Sequence, residues 1–228
     1  MKVTEIEHFS HRHKLELSYS QKPYRCDGCK QEGFGSCYQC NKKTKCDFHL
    51  HEKCAMADPL ATHPFFNNCI FEFRKKRKHG KRCKACGKDI RGFMYKSKKA
   101  YLHPCCLKLP NTLNGEGGLI LNLKDKASSK CLICRHKKIS GKVKGWAYVS
   151  TCGKHCYHVG CVNHMNFENW GCFNSQQNGG NISLVFIKQE SGRKKKRGCC
   201  VGCALDLIVN AILGSALQLA AGCVLGLS

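Results

Sequence analysis

The sequence predicts small β-rich modules in tandem, followed by a C-terminal apolar helix. Three observations predict it. Cysteine and histidine are abundant, with 21 Cys and 12 His in 228 residues. A CxxC pair followed by an HxxC pair recurs three times along the chain. Short alternating apolar runs stand ahead of those pairs, whereas the run from Leu207 to Ser228 carries no charge.

The stabilising device comes first. Cysteine at about 9% of a chain marks a cross-linked or metal-rich protein, so the choice lies between disulfides and a bound metal. The N-terminal stretch from Met1 to His8 is charged and has no apolar core of a signal sequence, which reads as no secretory leader. The expectation is therefore a reducing, cytoplasmic setting, where structural disulfides are rare. Histidine in fixed register with cysteine decides for Zn2+, because a disulfide has no use for an imidazole and a zinc site does. Modules of about 50 residues bury too little apolar surface to fold on a core alone. Zinc binding supplies the missing free energy.

The repeat is read next. Its three members are Cys26/Cys29 with His51/Cys54, Cys83/Cys86 with His103/Cys106, and Cys131/Cys134 with His158/Cys161. Leu15 and Leu17, then Phe71 and Phe73, then Leu121 and Leu123 alternate with polar residues and predict short strands. The expected organisation is module one at 8–64, module two at 65–110, module three at 119–172, a polar and basic linker at 173–198, and a Cys-rich apolar tail at 199–228.

Module one carries enough ligands for two ions. A two-residue spacing lets both members of a pair reach one tetrahedral zinc from a tight turn. The expected sets are Cys26, Cys29, His51 and Cys54 around one ion, and His13, Cys40, Cys46 and His63 around the other. Such interleaving ties the ends of the module to its middle.

The motifs His8-Phe9-Ser10-His11-x-His13-x-Leu15-x-Leu17, Tyr24-x-Cys26-Asp27-x-Cys29 and Cys46-Asp47-Phe48-x-Leu50-His51-x2-Cys54-Ala55 resemble the C1 domain, and more closely its plant relative, the divergent C1 or DC1 domain. The resemblance covers roughly residues 8–165 and implies cross-braced zinc sites. Two departures stand out. Cys40 and Cys46 are five residues apart where the family has a CxxC, with Lys43 at the position expected for Cys. His13, rather than His8 or His11, has the family's twelve-residue spacing to Cys26.

Module two repeats one set in full, and its second set is degenerate. Cys69 stands where His13 stood, but Ser97 replaces a cysteine. Either Cys105 compensates or one zinc is missing, and a single zinc is the expectation. In module three Cys152 is expected to start a second site, with His155 or Cys156 and His164 or Cys172 completing it.

The expected function is binding. The full sets have four ligands and no open position, and no H-E-x-x-H or H-x-E…C-x-x-C pattern occurs. No catalytic residue and no small-molecule substrate is expected. A RING-like ubiquitin ligase, a thiol-redox protein and a basic nucleic-acid binder are the alternatives. The resemblance implies a signalling adaptor with protein partners. The formal charge of +24 also suits an anionic lipid surface. The run from Arg74 to Arg82 has no aromatic residue to stack on bases, which ranks nucleic acid below both. Arg193–Arg197, the cysteines at 199, 200 and 203, and the uncharged segment beyond them lead to the expectation of a membrane-associated tail. Nuclear import through the basic run is the lesser reading.

Overall fold

The computed structural model describes residues 3–42, 46–76, 79–114, 118–139 and 143–162. These fall into two compact units, one up to Leu109 and one from Pro110. The linker, the apolar tail, His164 and Cys172 lie outside the described residues. Among the described residues, no helix is long and apolar enough to cross a membrane.

Three small antiparallel sheets carry the repeat, each a meander of four strands in sequence order. The first sheet has β1 (Glu5–Ile6), β2 (Leu15–Arg25), β3 (Glu32–Cys40) and β4 (His49–His51), followed by the helical turn α1 (Glu52–Ala55). The second has β5 (Leu60–Ala61), β6 (Phe71–Arg74), β7 (Met94–Lys96) and β8 (Tyr101–Leu102), followed by α2 (Pro104–Leu107). The third has β9 (Thr112–Asn114), β10 (Ile120–Lys124), β11 (Ala147–Ser150) and β12 (Cys156–His158). The edge strands β5 and β9 thus precede residues 65 and 119, the starts expected from the sequence for modules two and three.

The alternating runs form β2, β6 and β10, and their leading apolar residues Leu15, Phe71 and Leu121 are fully buried. A tyrosine on the third strand of each sheet reaches back over its own module. The hydroxyl of Tyr38 donates to the Val3 carbonyl at 2.6 Å, that of Tyr95 to Asp58 at 2.8 Å, and that of Tyr148 to Pro110 at 2.8 Å. Each bond pins the stretch that enters the module. Strands of two to eleven residues bury little. Sheets of this size gain little from core area alone.

In the first unit, two sheets are fused at a glycine contact. The Phe93 amide donates to the Gly28 carbonyl at 2.8 Å. A Cβ on Gly92 would lie 2.0 Å from that carbonyl oxygen, so only glycine lets the two backbones meet. Phe93 then packs over Gly28 and against Phe73, Phe9 and His8.

Candidate metal centres

Each CxxC pair is a backbone knuckle built the same way three times. The amides of Lys30, Gly87 and Arg135 donate to the carbonyls of Cys26, Cys83 and Cys131 at 2.8–2.9 Å. Those three residues follow the second cysteine and have positive φ, at 61°, 75° and 61°. The residue after the first cysteine bonds the closing hairpin, as in Lys84 N–H to the Tyr101 carbonyl at 2.9 Å. The knuckle is thereby set against the strand that delivers the histidine.

Four sets of ligand atoms result, and within each every atom lies within 4.8 Å of the others. They are Cys26, Cys29, His51 and Cys54; Cys83, Cys86, His103 and Cys106; Cys131, Cys134, His158 and Cys161; and His11, His13, Cys40 and Cys46. In the first three, the histidine Nδ1 faces the thiols. Its distances are 3.4 and 3.8 Å to Cys29 and Cys54, 3.4 and 3.9 Å to Cys86 and Cys106, and 3.4 and 3.7 Å to Cys134 and Cys161. A tetrahedral zinc with ordinary bond lengths sets an N···S edge of about 3.6 Å. The donor sets therefore fit zinc in ligand type, number and spacing.

The other nitrogen of each ring is committed to a carbonyl. Nε2–H of His51 donates to Glu32 at 3.0 Å, that of His103 to Asp89 at 3.2 Å, and that of His158 to Lys137 at 3.3 Å. This bond fixes the tautomer that leaves Nδ1 open to the metal. Gly33 makes room for it, because a Cβ there would lie 2.4 Å from His51 Nε2.

Electrostatics in the buried set around His51 point the same way. Burial opposes ionisation of the Cys26 thiol, but hydrogen bonds from Cys29 and Cys54 and the His51 charge hold it well below the usual thiol range. Burial also opposes charging His51, and the Cys26 thiolate overcomes it and pushes the imidazole up to about 9. Burial and neighbouring thiols push Cys29 and Cys54 well up. In the third unit of the repeat, a hydrogen bond from Cys161 leads the effects that hold Cys131 down to about 3. In these two sets the polypeptide favours one thiolate unaided. A divalent cation takes the remaining thiols to thiolate.

The fourth set departs from the sequence expectation. His11 joins His13, with His13 Nδ1 3.3 Å from the Cys40 sulfur and His11 Nε2 3.3 Å from that of Cys46. His11 is held by stacking on Phe48 at 4.2 Å between ring centroids. His63 is not brought to this set. It follows β5 and belongs to the second sheet, where its Nδ1 accepts the Phe65 amide at 3.2 Å. That is the role of His8 in the first sheet, whose Nδ1 accepts the Ser10 amide at 3.3 Å. The spacing to Cys26 selects His13 alone, whereas His11 is marked only by standing two residues before His13.

Cys69 does stand two residues before β6, as His13 stands two before β2. No second set assembles around it among the described residues. Phe66 packs edge-on against Phe71 nearby. Ser97 turns its hydroxyl to the amides of Lys99 and Ala100 at 3.2 and 3.1 Å and closes the hairpin instead. Cys105 is buried beside Cys106 but outside the sets. Cys152 is exposed and lies 3.3 Å from the Ser150 hydroxyl, in no set among the described residues.

Residues 9–55 match the family model of the C1 domain. All eight ligands of the first sheet fall inside that match. No curated protein and no solved structure matches the chain. The segment is C1-like, and the described residues are β-rich with Cys/His sets in tandem placed for zinc binding.

Proposed function

We propose that this chain is a non-enzymatic zinc scaffold of the divergent C1 type, an adaptor that presents tandem modules to protein partners in the cytoplasm. One observation carries the reading: the four sets have four ligands each, which leaves no coordination position for a substrate. In three of them the second histidine nitrogen is already bonded to a carbonyl, so no imidazole is available there for proton transfer. Structural zinc is closed in this way, and catalytic zinc is not. The basic surface supports an anionic lipid face as a second contact, and the tail beyond residue 199 supports membrane association.

Metal analysis of the purified chain tests the first half, with four zinc ions per chain expected from the described sets. A ubiquitin-transfer assay with a panel of conjugating enzymes tests the second half. Formation of ubiquitin chains replaces the scaffold with a ligase.

A further inference from the structure

Where the first two sheets meet, the chain forms a cavity of about 380 Å³ between their knuckles. Arg25 and Lys30 line it from the first sheet, and Arg82, Lys88 and Arg91 from the second. Glu32 and Asp89 are its lining carboxylates. Lys88 pairs with Glu32 at 3.6 Å, and Asp89 is shared by Arg82 at 3.4 Å and Arg91 at 3.8 Å. Lys30 also meets Asp27 at 3.2 Å. With that third acid counted, cations still exceed carboxylates by two.

We propose that this cleft is a binding site for a compact ligand bearing clustered phosphates, whether a free polyphosphate or a phosphorylated lipid headgroup. Its size suits a small molecule. Three guanidinium groups offer planar forks that match phosphate oxygens, and Asp89 holds two of them in place. The walls are fixed by the metal sets themselves. The carbonyl of Glu32 accepts a hydrogen bond from His51 Nε2–H, and that of Asp89 accepts one from His103 Nε2–H. The cations thus sit on backbone that is already ordered, which lowers the entropy cost of binding. None of the lining residues is aromatic, so the cleft has no platform for stacking bases and disfavours nucleic acid.

The site rests on the reading of both knuckles as zinc centres, and zinc content measured on the same samples separates the two ideas. The test uses full-length chain, with titration calorimetry against pyrophosphate and inositol hexakisphosphate at physiological salt. The expected result is saturable binding that Arg25→Gln with Arg91→Gln weakens by about tenfold or more, through loss of charge-assisted contacts. Both arginines are exposed, so zinc content stays unchanged. Lys76→Gln with Lys98→Gln removes equal charge from exposed residues outside the cleft and shifts affinity by less than about twofold. Flotation with phosphatidylcholine vesicles carrying phosphatidylinositol bisphosphate, against vesicles carrying phosphatidylserine, distinguishes the headgroup from the free anion. Equal losses in the two double variants, no saturable binding by a zinc-loaded sample, or binding only to an oligonucleotide each overturns the proposal.

Discussion

Phe93 donates its backbone amide to the carbonyl of Gly28, at 2.8 Å, and lays its ring over the same glycine. A residue of the second sheet thereby closes over a zinc knuckle of the first. Phe93 is 6% exposed. Phe93→Ala is expected to cost about 3–5 kcal/mol. Because the ring serves both sheets, both are expected to lose order in one transition. Two separate calorimetric transitions with the first sheet unshifted would show instead that the sheets fold independently.

Metal is expected to leave in a fixed order. The sets of His51 and His103 are buried throughout, whereas three of the four ligands in the set of His11 are half-buried. Stepwise chelator titration followed by native mass spectrometry should show loss of one zinc well before the rest. Removal of all the zinc should unfold the chain, because binding free energy is folding free energy in modules of this size.

Ligand assignment is checked by substitution and zinc counting. His11→Ala and Cys83→Ser should each lose one zinc per chain, the latter with broad unfolding. His63→Ala, Cys69→Ser and Cys152→Ser should keep the full count. A zinc lost on Cys152→Ser would place that thiol in a set completed from beyond residue 162.

Acid sensitivity has a component separate from the metal. Burial holds His8 and His63 below the ordinary 6.5. The unfolded chain then takes up protons near that value that the folded chain declines. Their stabilising contribution is fully present above about pH 6.5 and falls as pH drops below it, by at most about 1.4 kcal/mol per pH unit for each histidine. Urea midpoints between pH 7.5 and 5.5, at constant zinc content, should slope less in His63→Gln.

Arg135 follows Cys134 with a φ of 61°, in a region that a side chain occupies at a cost of roughly 1 kcal/mol. Gly87 occupies the same place in the second knuckle. Arg135→Gly should therefore raise the thermal midpoint of the third module, measured by hydrogen exchange at Leu121 and Tyr148.

The sequence showed some of this and hid the rest for physical reasons. Local spacing encodes a knuckle, so the recurrence of CxxC and HxxC points to the sets around His51, His103 and His158. Alternation marks β2, β6 and β10 because one face of each is buried. The strands Leu60–Ala61 and Thr112–Asn114 are too short to alternate. Partner strands create them, and with them the placement of His63. The choice between His11 and His63 depends on where the chain turns after α1, which no ligand spacing records. The Gly28–Phe93 contact joins residues far apart in sequence, and Gly92 marks it only once the close approach is known.

The tyrosine latches carry a consequence for how such a chain is lengthened or divided. Val3, Asp58 and Pro110 are held from 35, 37 and 38 residues downstream. The segment that behaves as one inheritable block starts at the captured carbonyl, well ahead of the first cysteine. A gene duplication or a truncation cut at the CxxC would leave a phenol without its acceptor, and one cut a few residues before the latch would copy a finished part.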